Sequence, residues 1–160
     1  MYIRNAESYD DQKIAYVEKR CFPDGSGATA EDFQDRILAY PKHIWLLVDG
    51  MNVVSLADGI ATDEPDIRDE MYTSTALHQE DGDWQTLFGL DTVPEFRKRG
   101  YASKLLNRVI QDAKRDDRKG IVLVCRSGLT KFYENRGFKN EGRSASSHCG
   151  DHLYQMRLTF

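Results

Sequence analysis

The spacing of apolar residues near the start of the chain predicts a short strand followed by a helix. Residues 2–5 favour the strand. Ile14 and Val17 recur at helical intervals and predict a helix that begins at Ser8. Its end is expected at residues 21–23, because the proline in that segment cannot continue a helix.

A second helix is expected directly after a glycine-rich loop. Thr29 is a favourable N-cap residue, and Asp32 follows three positions later, as in a capping box. The helix is predicted to bury Phe33, Ile37 and Leu38.

The middle of the chain is typical of strands. Residues 44–61 predict two strands joined at the Asp49-Gly50 turn, a dipeptide common in hairpins. Residues 62–83 are polar and acidic, which indicates a long loop with one helical turn. Residues 84–93 predict a single strand, in which Gly89 marks a bulge.

The clearest helix follows Pro94, and the remaining elements complete an α/β pattern. Its apolar stripe consists of Ala102, Leu105, Leu106, Val109, Ile110 and Ala113. A buried strand at 121–125, a helix at 129–135 and a final strand at 152–160 follow. The expected order is β-α-α-β-β-β-α-β-α-β-β, an α/β (α+β) fold with a mixed, mostly antiparallel sheet of about seven strands and about four helices. Residues 1–160 are expected to form a single domain.

Composition and charge narrow the classes of partner. A formal net charge of −4 argues against general nucleic-acid binding. The longest apolar runs are too short to span a bilayer, and the first residues lack the apolar core of a signal peptide. Cys21, Cys125 and Cys149 fit neither a disulfide framework nor a zinc site, and His148 and His152 have no spaced metal-binding partners. We therefore expect a cytoplasmic protein without metal, nucleic-acid or membrane partners.

Three basic residues stand where a helix normally carries acids. Arg97, Lys98 and Arg99 directly precede the long helix, whose N-terminus is already partially positive. Free N–H groups of the first turn and flanking guanidinium groups together can hold a pyrophosphate, and Gly100 lets it approach the backbone. The alternative is a solvated basic turn.

Two motifs in this order of elements resemble the GNAT superfamily of N-acetyltransferases. Residues 97–102, RKRGYA, match the family's Q/R-x-x-G-x-G/A signature for acetyl-CoA, and residues 132–138, FYENRGF, look like its F-Y-E-K-x-G-F segment. Residues 18–23 and the closing strand are similar to the arylalkylamine N-acetyltransferase branch. The resemblance covers nearly the whole chain and implies a GNAT-like fold with acetyl-CoA as co-substrate.

The resemblance also implies roles for individual residues. Tyr133 matches the tyrosine that protonates the departing CoA thiolate in related enzymes, and its alternative role is that of a packed core residue. Gly89 suits either a bulge or the strand splay that admits the thioester. The residues implied in cofactor binding are Leu90, Asp91, Thr92, Val93, Arg97, Lys98, Arg99, Gly100, Tyr101 and Ala102, with Ser127 and Thr130 serving either the cofactor or a helix cap.

The base that deprotonates the amine is not given by the resemblance. The arylalkylamine enzymes carry two histidines on this strand, and Thr86 and Phe88 stand at the matching positions, where neither can act as a base. Asp91 on the same strand is a candidate catalytic residue, and His78 and Glu80 in the preceding loop are further candidates.

Two further groups of residues suggest acceptor binding. The acidic segment 63–70 is either a steering surface for a cationic amine or a solvated loop. Trp45, Tyr72, Trp84 and Phe88 form either an aromatic wall for an arylalkylamine or part of the core.

The sequence therefore predicts an acetyl-CoA-dependent N-acetyltransferase that acts by direct attack on a small primary amine, either an arylalkylamine or a polyamine. The alternatives are a protein lysine or N-terminal acetyltransferase and a non-catalytic acyl-CoA-binding regulatory module. Because family members are often dimers, the resemblance also implies a homodimer as one arrangement.

Overall fold

The structure, a computed structural model, describes residues 1–146 and 152–160. His148 and Cys149, for which the sequence predicted no metal or disulfide role, lie outside the described residues. Among the residues that are described, no helix is both long and apolar enough to cross a membrane.

The described residues form nine strands and five α-helices, and the α/β fold class is confirmed. The strands are β1 (Tyr2–Asn5), β2 (Ile44–Asp49), β3 (Asn52–Asp58), β4 (Ala61–Thr62), β5 (Trp84–Leu87), β6 (Gly89–Thr92), β7 (Gly120–Arg126), β8 (Lys139–Arg143) and β9 (Leu153–Thr159). The helices are α1 (Asp11–Cys21), α2 (Ala30–Ala39), α3 (Glu70–Thr73), α4 (Tyr101–Arg115) and α5 (Thr130–Glu134).

The strands belong to two sheets. An antiparallel sheet has the order β1-β2-β3-β6, and a second sheet has the order β4-β5-β7-β9-β8, in which β5 and β7 run parallel. Contacts divide the chain into two compact units, one formed by Met1–Gly59 with Gly89–Val109 and the other by Ile60–Phe88 with Ile110–Phe160.

In the first unit, α1 packs on α2 and on strands β3 and β6. The predicted capping box of α2 is present, because Thr29 Oγ1 accepts from the Asp32 amide at 3.1 Å and Asp32 accepts from the Thr29 amide at 2.9 Å. Phe33 and Ile37 are buried as expected. Leu38, which was predicted to be buried, is 84% exposed, since the next helical position after Ile37 turns away from the core.

The predicted hairpin is the β2–β3 pair. Asp49 pairs with Asn52, so the two residues between the strands are Gly50 and Met51. Gly50 has φ of +62°, a conformation that favours glycine.

In the second unit, the apolar run that predicted a buried strand is β7. Ile121 and Val122 are fully buried, and β7 lies between β5 and β9 in its sheet.

The two other helices predicted from the pattern, around residues 102–113 and 129–135, are α4 and α5.

Candidate active site

The basic segment 97–102 links β6 to the N-terminus of α4, and its backbone is unusual. Lys98 has φ of +62° and Gly100 has φ of +82°, so two left-handed residues flank Arg99. For lysine this conformation is strained, whereas glycine adopts it freely. Left-handed residues in a turn direct neighbouring N–H groups to one side, which is the geometry of anion-binding nests.

The basic side chains of this segment are exposed but held in place. Arg97 Nε donates to the Thr92 carbonyl at 3.0 Å, and the Arg99 guanidinium lies 5.2 Å from the centre of the Phe96 ring. The helix begins with the Lys104 amide donating to the Gly100 carbonyl, so the amides before it have no partner within the helix. Three cationic groups, a helix N-terminus and the left-handed turn fit the pyrophosphate of coenzyme A.

The prediction of a single strand over residues 84–93 is wrong, because this segment forms the two strands β5 and β6. It breaks at Phe88, because Leu87 pairs with Leu123 in the second sheet while Gly89 pairs with Asp58 in the first. β6 is an edge strand of the first sheet, and β3 is its partner among the strands that the structure describes. An edge strand presents unpaired backbone groups, and these can pair with an extended ligand such as pantetheine.

Gly89 has a specific steric reason to be glycine. A Cβ atom at this position would lie 2.8 Å from Asp91 Oδ2 and 3.6 Å from Asp58 Oδ1. The Asp91 carboxylate therefore lies over Gly89. It is on the same face of the sheet as Asp58, which is the β3 residue paired with Gly89. This face packs against α1.

Three carboxylates and one guanidinium meet on this face, and we call Glu18, Arg36, Asp58 and Asp91 the carboxylate cluster. Glu18 and Arg36, from α1 and α2, are only 6% and 7% exposed, and Asp58 is 1% exposed. Arg36 Nη1 donates to Asp58 Oδ2 at 2.8 Å, and Glu18 Oε2 accepts from the Ala28 amide at 3.0 Å. Asp91 Oδ2 is buried and has no hydrogen-bond donor among the described residues.

Burial changes the protonation of this cluster. Burial raises the pKa of Glu18, and the neighbouring Asp91 carboxylate raises it further. Burial also raises the pKa of Asp91, although a hydrogen bond with Glu18 works in the opposite direction. Burial raises the pKa of Asp58 to about 6 despite the attraction of Arg36. Asp91 Oδ2 has no donor among the described residues, so a proton on the neighbouring Glu18 carboxyl would stabilise it through a hydrogen bond.

Glu18, Arg36 and Asp58 were not predicted as site residues from the sequence. A signal was present, because Glu18 lies four positions after Ile14 and so on the buried face of α1. A charged residue on the apolar stripe of a helix has to find a buried partner.

Tyr133 lies in α5 of the second unit and is 6% exposed. Phe132 and Phe138 meet its ring edge-on, at centroid distances of 5.0 Å and 5.5 Å. Thr130 Oγ1 donates to the Ser127 carbonyl at 3.1 Å, so this hydroxyl supports the start of α5. The cofactor and proton-transfer roles of Tyr133, Ser127 and Thr130 stay predictions.

Other candidate residues of the second unit make local bonds. The Thr86 hydroxyl accepts from the Ile60 amide and donates to the Ile60 carbonyl, each at 2.9 Å. His78 Nδ1 accepts from the Ala61 amide at 3.1 Å, and its Nε2 lies 3.3 Å from Glu80 Oε1. These bonds favour structural roles for Thr86 and His78.

The aromatic residues considered for an acceptor wall have packing partners. Phe88 stacks on Tyr72 with a centroid distance of 4.7 Å, and the Arg157 guanidinium lies 4.5 Å from the Trp84 ring centre. Trp45 in the first unit is 2% exposed and meets His43 edge-on. Trp45 and Tyr72 are buried and Trp84 and Phe88 are half-buried, and these packing contacts favour the core alternative.

The acidic segment 63–70 pairs largely with arginines. Glu64 and Glu70 bind Arg68 at 2.8 Å and 3.3 Å, and Asp66 binds Arg157 at 2.9 Å. Ion pairing reduces the field that a free acidic loop would project, which favours a structural role for the segment.

Comparisons with known proteins identify the family. No protein in a curated sequence comparison matches the chain. Among solved structures, it is similar to the loading GNATL domain of CurA from Lyngbya majuscula, with a TM-score of 0.88 at 18% identity over 99% of this chain and 96% of that one. The GphF GNAT-like decarboxylase in complex with isobutyryl-CoA gives a TM-score of 0.81 at 19% identity over 99% of both chains.

A third similar structure is the ribosomal-protein-S18-alanine N-acetyltransferase from Escherichia coli, with a TM-score of 0.69 at 15% identity over 99% of this chain and 92% of that one. At such identities the structures show a shared fold. The model of the acetyltransferase (GNAT) domain family matches residues 41–140, which include β6 and the basic segment. The chain therefore belongs to the GNAT family and is an acyltransferase that uses acetyl-CoA as its donor.

Proposed function

We propose that this enzyme transfers an acetyl group from acetyl-CoA to a small primary amine, either an arylalkylamine or a polyamine. The observation that carries the proposal is the buried carboxylate cluster, whose member Asp91 lies on β6, the strand that leads directly into the basic segment. Three carboxylates against one guanidinium attract a cationic acceptor, and a carboxylate can accept the proton that an ammonium must lose.

The donor is held by the first unit in this proposal. Arg97 through Ala102 bind the pyrophosphate with side-chain cations and first-turn amides, and Leu90 through Val93 offer the backbone of an edge strand to pantetheine. The left-handed turn at Lys98 and Gly100 supports this assignment.

The chemistry removes two protons from the acceptor nitrogen and gives one proton to the leaving thiolate. Acetyl-CoA supplies an activated thioester, whose carbonyl carbon is attacked by the neutral amine. The Asp91 carboxylate takes one proton from the acceptor ammonium and releases it to solvent. Tyr133 Oη supplies the proton that the departing thiolate needs, and the second proton lost by the amine nitrogen restores the phenol through solvent.

A protein lysine or N-terminal acetyltransferase is the second candidate. The similar structure from Escherichia coli is described as an alanine N-acetyltransferase, and it shares the fold of this chain. A peptide acceptor would present the same amine to Asp91. The arylalkylamine branch stays a narrower hypothesis, and it predicts turnover of aromatic amines in preference to polyamines.

The test is release of CoA thiol from acetyl-CoA with arylalkylamines, polyamines, lysine peptides and N-terminal peptides as acceptors. Turnover of a free amine supports the proposal, and turnover of peptides alone supports the second candidate. Tight CoA binding without turnover of any acceptor supports a regulatory module instead. We further propose that residues 1–160 act as one cytoplasmic catalytic domain. We also propose that this domain forms a homodimer, and light scattering measures its mass in solution.

A further inference from the structure

The carboxylate cluster contains a residue whose role the proposed function does not explain. Glu18 is 6% exposed on α1, which packs on β6, and its carboxylate lies beside that of Asp91 with Arg36 also near it. Burying one acid beside another costs free energy of folding. A residue that is present despite this cost is a candidate for a functional role.

We propose that Glu18 is a positioning residue that acts through Asp91, such that the two carboxylates together accept one proton from the acceptor ammonium and hold it between them. The proposal rests on the proposed acetyl transfer. The reacting form is the one in which the pair has lost its shared proton and both carboxylates are ionised. The acceptor ammonium then loses one proton, and the pair gains that proton before passing it to solvent.

The two carboxylates differ in their other hydrogen-bond partners. Asp91 Oδ2 has no donor among the described residues, and Glu18 Oε2 is held by the Ala28 amide. Arg36, the buried cation of the cluster, donates to Asp58. Asp58 is therefore already paired, and the pair of Glu18 and Asp91 remains as the proton acceptor.

The charged and titratable groups that interact with the pair come from α1, α2, β3 and the segment after β6. Helix α1 contributes Glu18 and Cys21, helix α2 contributes Arg36 with Tyr40 at its end, and strand β3 contributes Asp58. Arg97 follows β6 and attracts the Asp91 carboxylate, but its Nε is bound to the Thr92 carbonyl.

A pair of acids is a better base here than one acid. An unperturbed aspartate has a pKa of about 4, whereas a primary ammonium has a pKa of about 10, so proton transfer to a lone carboxylate is strongly uphill. A second negative charge in a buried site raises the proton affinity of the first, and the shared proton gains a charge-assisted hydrogen bond. The pKa of the base therefore moves closer to the working pH, and a base is most efficient when its pKa is near that pH.

The test is the pH dependence of kcat/KM in the full chain with the best acceptor from the panel, compared between the wild type and Glu18→Gln. The amide keeps the shape and removes the charge, so Asp91 becomes a weaker base. We expect the acidic limb to move down by about one pH unit and the plateau to fall about tenfold. The Kd for acetyl-CoA should stay within about twofold, since Glu18 is not in the basic segment. Glu31→Gln, an exposed substitution on α2, is the matched control and should leave the profile unchanged.

A second measurement is independent of turnover. Carbon-13 NMR of labelled aspartate follows the titration of Asp91, with Asp91→Asn to assign the signal. In Glu18→Gln the Asp91 titration should move to lower pH, and circular dichroism checks that the variant is folded. An unchanged limb with an unchanged titration would overturn the inference while leaving acetyl transfer intact. Absence of turnover by the wild type, with the titration shift still present, would instead overturn the proposed function and leave the pair established as a proton-sharing unit.

Discussion

Tyr133 packs through its ring, so a phenylalanine at this position keeps the ring contacts and tests the hydroxyl. The ring is buried and is met edge-on by Phe132 and Phe138. For Tyr133→Phe we expect kcat to fall about a hundredfold, because the departing thiolate loses its proton donor, and the Kd for acetyl-CoA to stay unchanged. Steady-state kinetics and calorimetry measure the two quantities. Tyr9→Phe, at a residue 62% exposed, is the control, and an unchanged kcat for Tyr133→Phe would remove Tyr133 from the mechanism.

Gly100 allows the acetyl-CoA segment to be tested separately from the chemistry. Its φ is +82° and no atom lies within 4 Å of an added Cβ, so Gly100→Ala introduces backbone strain without a clash. Gly25 has φ of +86° and equally open surroundings, which makes Gly25→Ala a matched control. Both variants should lose about 1 kcal/mol of unfolding free energy in urea titrations. Only Gly100→Ala should weaken acetyl-CoA binding, by about tenfold, and equal affinities would argue against an anion site at residues 97–102.

At the level of single residues, the sequence revealed the part of the site that is contiguous. The basic segment could be predicted because its residues are neighbours in the chain and violate the usual charge preference of a helix N-terminus. The carboxylate cluster could not, because Glu18, Asp58 and Asp91 come together only when α1 packs on the face of β3 and β6. Asp91 was a candidate base on chemical type alone. That its Oδ2 has no donor in the described part of the chain is a property of the folded structure.

At the level of elements, the clearest test concerns the cap of α2, which carries Arg36 into the carboxylate cluster. Thr29 and Asp32 satisfy two orphan amides of the first turn. Thr29→Ala should lower the free energy of unfolding by about 1 kcal/mol, while Thr29→Ser should retain most of the stability because the hydroxyl remains. Urea denaturation followed by circular dichroism measures both. Equal losses in the two variants would show that the methyl group, and not the cap, stabilises the helix.

Elements whose sequence signals lie within a few residues were predicted well. Strand boundaries that depend on which strand pairs with which were not. The capping box of α2, the hairpin turn at Gly50 and the apolar stripe of α4 are encoded within a few residues each. The break at Phe88 is different, because the residues on its two sides pair with different sheets. Local alternation is the same on both sides of such a break, so residues 84–93 looked like one strand.

At the level of the whole molecule, the net charge of −4 includes carboxylates whose effects on stability change with pH in opposite directions. The Arg157 hydrogen bond lowers the pKa of Glu141, so this contribution to stability is present at neutral pH and is lost as the pH falls below about 4. Burial raises the pKa of Glu18, Asp58 and Asp91 instead. Their effect on stability therefore has the opposite sign and lies at higher pH.

Between about pH 4 and the raised values, the folded chain binds more protons at these three buried carboxyls than the unfolded chain does. The free energy of unfolding must then decrease as the pH rises through this window. We expect the highest stability near pH 5 and a decrease on the order of 1 to 3 kcal/mol by about pH 8, measured by urea denaturation at several pH values. Glu18→Gln should flatten this slope, because it removes one titrating group and relieves Asp91, whereas Glu31→Gln should leave it unchanged. Stability that is constant or increases between pH 5 and pH 8 would mean that the buried carboxyls are ionised without cost, and a shared proton would then have no energetic basis.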